Sequence, residues 1–99
     1  MCGRKTLTMS KKAIIEELMV DEWQVEDYAP SYNIAPTQNS LVLVQEKGSK
    51  IVRSMKWGLI PAWSKSELYG SKMINARTET VTTKPSFKNL IQKYRCIVL

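Results

Sequence analysis

The sequence predicts an α+β fold built as one domain, on three observations. Two β-branched-rich runs, "SLVLVQ" and "KIVRSMKWGLI", are joined by "EKGS", which reads as a hairpin around Gly48. Two further segments, "MSKKAIIEELM" and "PSFKNLIQKYR", repeat apolar residues at helical spacing. The 99 residues leave room for one core and no second domain.

Along the chain, "MSKKAIIEELM" reads as a short helix capped by Ser10, with Ile14–Leu18 and Ile15–Met19 as i,i+4 pairs on its apolar stripe. The acidic stretch after it, ending at Ala29-Pro30, reads as a loop. "SYNIAPTQNS" carries Asn, Pro and Thr and reads as irregular and exposed. After the hairpin, "PAWSKSELYGS" reads as a loop with two aromatics. "KMINARTETV" reads as a short strand ending near Asn75-Ala76-Arg77. "PSFKNLIQKYR" reads as a helix, with Ser86 as N-cap and Phe87, Leu90, Ile91 and Tyr94 on one face. The final "RCIVL" starts another strand. An incomplete sheet there leaves an unpaired apolar edge, a template for self-association, so the chain reads as the front part of something longer.

Composition narrows the function classes. No apolar run approaches the ~20 residues that cross a bilayer, and the first residues lack a signal peptide's basic and apolar regions, which points to the cytoplasm. Cys2 and Cys96, at opposite ends, do not resemble a disulfide framework, and a chain with no histidine offers no zinc-ligand pattern. Net charge is +6 and unevenly spread. Residues 1–46 hold four basic and seven acidic side chains, whereas residues 47–99 hold eleven basic and two acidic. The second half is therefore a candidate polyanion surface, or a solvated basic face with no partner.

The first four residues, "MCGR", raise a chemical question. If Met1 is removed, Cys2 presents an α-amine and a thiol on adjacent carbons, a pair that condenses with aldehydes to a five-membered thiazolidine. An α-amine titrates near about 8, against about 10.4 for lysine, so part of it is unprotonated at neutral pH. The thiol is strongly nucleophilic and, once the imine has formed, attacks at high effective concentration. With Met1 in place the amine belongs to Met1 and ring closure is blocked. Taken alone, Cys2 reads as an ordinary end residue.

Six stretches then agree in order: "MCGR", "YNIAPTQ" at 32–38, "MKWGLIPAW" at 55–63, "NARTET" at 75–80, "KPSF" at 84–87 and "RCIVL" at 95–99. Together they resemble the SOS-response-associated peptidase (SRAP) family over the whole chain. The resemblance implies an open, barrel-like antiparallel sheet with peripheral helices, of which these residues form the N-terminal portion of a single SRAP domain. It also implies an abasic-site crosslinking activity on single-stranded DNA, lyase-like, with an N-terminal self-processing step that accounts for the peptidase name. Cys2 would form the thiazolidine with the ring-opened sugar, and Asn75 would orient the reacting carbon. Arg4 and Arg77 would hold DNA phosphates, a task suited to the planar guanidinium fork. Trp63 and Pro36 would flank the gap left by the missing base, and Asn33 and Ser64 would line the groove. Trp57 reads as a core aromatic beneath the site, and Lys65, Lys72 and Lys84 as nonspecific phosphate attraction. No metal or cofactor is implied.

The chain also departs from the family pattern. The family's proton-transfer glutamate follows the segment matching "RCIVL", and its active-site histidine comes much later. Neither falls within these 99 residues, and Glu79 sits on its own motif and is no substitute. Three readings stand side by side: a covalent abasic-site crosslinker acting through Cys2, a noncovalent single-stranded nucleic-acid binding module, and an inactive fragment.

Overall fold

Burial of one face of a hairpin organises the structure. A computed structural model of the chain describes residues 3–64, 66 and 68–99. Cys2 and Lys65 lie outside the described residues. Strands β4 (Asn39–Glu46) and β5 (Ser49–Lys56) pair antiparallel over their whole length, from Asn39 opposite Lys56 to Glu46 opposite Ser49. Lys47 and Gly48 close the hairpin with φ of 50° and 81°. Positive φ at both central residues is what a two-residue turn needs to match the strand twist, and Gly48 takes it without steric cost.

The alternation of β4 then decides which side is core. Leu41 and Leu43 face Val52 on one side, where they meet Leu7, Ile14 and Ile34 in the buried cluster. Each such side chain contributes about 1.5–3 kcal/mol when fully buried. Leu7 comes from β1 (Lys5–Leu7) and Ile34 from β3 (Ser31–Ile34), which form a separate antiparallel pair. Ile14 comes from helix α1 (Lys11–Leu18), capped as the sequence predicts: Ser10 Oγ accepts from the Ala13 N–H at 3.2 Å. Ser40 and Val42 point to the opposite sheet face, with Met55 across from Ser40.

The larger sheet has the order β2 (Glu22–Trp23), β5, β4, β6 (Ile97–Val98), and the other sheet is β1–β3. The fold is α+β with open sheets, as the sequence predicts. One pairing differs from an all-antiparallel sheet: β2 runs parallel to β5, placing Glu22 opposite Ile51. Asp21 secures that entry by accepting the Lys50 N–H at 2.7 Å. Trp23 packs edge-on to Tyr28, ring centroids 5.8 Å apart, with the Lys11 ammonium 5.3 Å from the Trp23 ring centre.

Elsewhere the local reading is corrected. The segment expected to be irregular at 31–34 is strand β3, because β1 supplies a partner that no local signal announces. The stretch "PAWSKSELYGS", expected to be a loop, runs into a short helix, α2 (Leu68–Lys72). The expected strand at 72–81 does not form: Lys72 ends α2, and the segment is then without regular structure to Arg77 before it enters turns. The expected helix at 86–95 is instead a run of separate turns. Single i→i−4 bonds such as Lys88 N to Lys84 O and Ile91 N to Phe87 O recur without merging into a helix. Helices of that length depend on packing of their apolar face, and here Phe87, Leu90, Ile91 and Tyr94 line an open cleft of about 300 Å³.

Candidate functional site

The strand ends of the hairpin carry the candidate site. At the start of β4, residues 35–38 make a tight turn in which the Gln38 N–H returns to Ala35 O at 3.2 Å. Pro36 supplies the fixed φ that such a turn needs at its second position. Thr37 follows at φ 73°, a left-handed conformation that a β-branched residue rarely adopts. That strain is held by the chain leaving β5: Thr37 N–H donates to Trp57 O, and Trp57 N–H donates to Gln38 O, both at 2.9 Å.

Trp57 extends this frame to the next motif. Its ring packs against the core, and its indole N–H donates to Ile74 O at 3.2 Å, next to Asn75. The Leu59 N–H donates to Met73 O at 2.9 Å. Between them Gly58 has φ 127°, and a Cβ there would lie 1.9 Å from Gly70 O. Only glycine fits this crossing, so the "KWG" stretch sets where "NARTET" begins.

Asn75 consequently stands on the walls of two cavities. One, about 450 Å³, lies on the sheet face opposite the core and is lined by Lys5, Ser40, Val42, Trp57, Asn75 and Cys96, among others. The other, about 340 Å³, is cationic: Lys72, Arg77 and Lys84 line it with Thr80. Among the described residues no carboxylate lines either cavity. Burial pushes the Lys5 amine below the ordinary lysine value. A larger cleft of about 540 Å³ opens beside Met19, Leu43 and Ile97, and it contains none of the candidate site residues.

The remaining candidates fall into separate groups. Arg4 and Asn33 are joined: Arg4 Nη1 donates to Asn33 Oδ1 at 2.9 Å, on the outer face of the β1–β3 pair. Trp63 is 62% exposed. Ser64 sits in the turn that follows Pro61, with its N–H on Pro61 O at 3.0 Å and its Oγ accepting the Ser66 N–H at 3.1 Å. Both stand outside the walls of the two cavities. The structure thus brings Asn75 together with Arg77, and Arg4 with Asn33. Sequence reasoning missed Lys5 and Ser40. Their signal is strand phase: Ser40 shares a face with buried Val42 two residues on, and Lys5 is set off from buried Leu7 by a register shift in β1.

Comparison with known proteins settles the family. The family model for SOS response associated peptidase (SRAP) matches residues 1–99. The chain belongs to the SRAP family. Among its SRAP relatives, the abasic site processing protein YoqW of Bacillus subtilis (strain 168) is 46% identical over 99 residues, 99% of this chain and 44% of its own length. The abasic site processing protein YoaM of the same organism is 43% identical over the same share of each chain. The abasic site processing protein HMCES of Pongo abelii is 33% identical over 122 residues, covering all of this chain and 34% of that protein. The chain therefore spans less than half the length of these SRAP relatives. None of its described helices is long and apolar enough to cross a membrane.

Proposed function

We propose that this chain acts as the N-terminal portion of a single SRAP domain that captures abasic sites in single-stranded DNA. In this reading Met1 is removed and the Cys2 amine condenses with the C1 aldehyde of the ring-opened sugar, releasing water as the imine forms. The Cys2 thiol then adds to the imine carbon, and its proton passes to nitrogen to close the thiazolidine. Asn75 orients the sugar by donating from its amide, with no proton lost. Arg77, helped by Lys72 and Lys84, holds a backbone phosphate, and Arg4, braced by Asn33, holds another. Trp63 and Pro36 flank the gap, with stacking worth roughly 1–3 kcal/mol per base. Ser64 lines the groove beside Trp63. The protein would work in the cytoplasm, on DNA.

One observation carries this reading. Asn75 lines both the 450 Å³ cavity and the cationic one, so a residue suited to orienting a sugar lies beside a pocket suited to the next phosphate. No acidic side chain is among the described residues on these walls, and capture by the 1,2-aminothiol itself requires none.

The test is intact mass after incubation with single-stranded DNA carrying one abasic site, with Cys2→Ala in parallel. Loss of Met1 and a DNA adduct abolished by Cys2→Ala are the expected results. Processed chain that forms no adduct would overturn covalent capture by these residues. A second reading, noncovalent binding of single strands, is favoured by the exposure of Trp63 beside a basic half-chain. It predicts equal DNA affinity in the Cys2→Ala variant and no adduct. Exposed Ile97 and Val98 on edge strand β6 also make self-association an expected property, read directly from oligomeric state.

A further inference from the structure

The 450 Å³ cavity contains more chemistry than Asn75 alone accounts for. Its volume lies within the roughly 300–1,000 Å³ typical of small-molecule sites. Lys5 enters it from β1, where the register shifts between Lys5 and core residue Leu7, while its neighbour Arg4 turns out to Asn33. The Lys5 amine donates to Leu99 O at 2.6 Å, which fixes its position beside β6. Ser40 lies on the same wall set. It is 6% exposed, and its Oγ has no hydrogen-bond partner among the described residues. A buried hydroxyl left unsatisfied costs about 1–3 kcal/mol, and a polar ligand in the cavity would relieve it.

We propose that Lys5 is a second aldehyde-reactive amine in this cavity, forming a reversible imine with an open-chain sugar whose hydroxyls bond Ser40 and Asn75. The proposal rests on the reading that the cavity takes a ring-opened abasic sugar. The neutral Lys5 Nζ adds its lone pair to the C1 carbonyl carbon. The carbinolamine then loses water, so that one C=N replaces the C=O and the two amine protons leave with the oxygen. Hydrolysis reverses the step with no oxidant or reductant. Apolar Val42, Trp57, Leu59 and Val98 on the cavity walls, and the absence of an acidic side chain among the described lining residues, favour its neutral form. The other titratable groups on these walls are the Lys56 amine and the Cys96 thiol. Such an imine would hold the sugar near the N-terminus before ring closure, a tether that a single N-terminal nucleophile does not supply.

Reductive trapping tests this directly. The protein is incubated with single-stranded DNA bearing one abasic site, with and without cyanoborohydride, and digested with trypsin, which cuts after Arg4 and so separates Cys2 from Lys5. The expected result is a reductant-dependent adduct on the peptide containing Lys5, lost in both Lys5→Met and Lys5→Arg. Thermal melting confirms that the Lys5→Arg variant remains folded. A reductant-dependent adduct that maps to Lys56, or survives Lys5→Arg at the original yield, overturns the proposal. An N-terminal adduct with none on Lys5 overturns the proposal and leaves the Cys2 reading intact. A Lys5 adduct with no N-terminal adduct does the reverse, and absence of both overturns the two together.

Discussion

Arg4 Nη1 donates to Asn33 Oδ1 at 2.9 Å, joining residues 29 positions apart across the β1–β3 pair. The bond aims the guanidinium outward on the face away from the core. It also explains why a polar residue at 33 accompanies an arginine at 4: the amide oxygen takes one donor of the fork and leaves the others for phosphate. Both side chains are exposed, so Asn33→Ala should change thermal stability by no more than about 0.5 kcal/mol. Arg4→Ala should weaken single-stranded DNA binding and lower the slope of log K against log salt by about 0.7, while Asn33→Ala should weaken binding with the slope retained. Fluorescence titrations at several salt concentrations separate the two.

The cationic cavity predicts a matching result. Arg77→Ala and Lys84→Ala should each reduce the salt slope by about 0.7, and the double variant by about 1.4 if the two side chains neutralise separate phosphates. A double variant no weaker than either single one would mean that they share one phosphate.

Gly58 is the least replaceable residue of the frame around Asn75. A methyl group there meets Gly70 O at 1.9 Å, and the φ of 127° is closed to other residues. Gly58→Ala should cost about 3 kcal/mol or more in chemical denaturation. Ser10→Ala, which removes only a helix cap, should cost about 1 kcal/mol.

Glu46 and Arg53 give a pH signature. Their bidentate pair, at 2.6 and 2.8 Å, holds the Glu46 carboxyl below the usual carboxylate range, chiefly through the Arg53 hydrogen bond and then through the Arg53 and Lys47 charges. Folding therefore favours the ionised form. The contribution is fully present above the carboxylate's unfolded value and is lost as pH falls through the lower folded value. Wild type should exceed Glu46→Gln in stability at neutral pH, and the two curves should converge in acid. The difference should be small because the pair is solvent-screened, and it should shrink further in high salt.

The lessons about legibility come from particular elements. Helix α1 and the β4–β5 hairpin were readable because their signals are local: Ser10 ahead of a 3.6-residue stripe, and Gly48 between two β-branched runs. Strand β3 was not, since "SYNI" carries turn formers at its border and becomes a strand only when β1 lies beside it. The helix expected at 86–95 failed for the converse reason, an apolar face with too little surface to pack on. In the candidate site, Asn75 and Arg77 were legible as one motif, and the structure adds that they share a cavity wall. Lys5 and Ser40 were invisible because a lysine near the terminus and a serine in a strand carry no message until the phase of β1 and β4 is known.

Sequence alone determined the α+β class, the SRAP resemblance and the identity of the residues offered for the chemistry, because those depend on spacing along the chain. Only the tertiary structure decided that Arg4 leans on Asn33, that Trp57 carries the 73–75 segment across the hairpin, and that Lys5 and Ser40 open onto the same cavity as Asn75. Each of those relationships joins residues more than a dozen positions apart. It follows from which face of a strand is buried and which crossing a glycine permits, and neither is written in any local stretch.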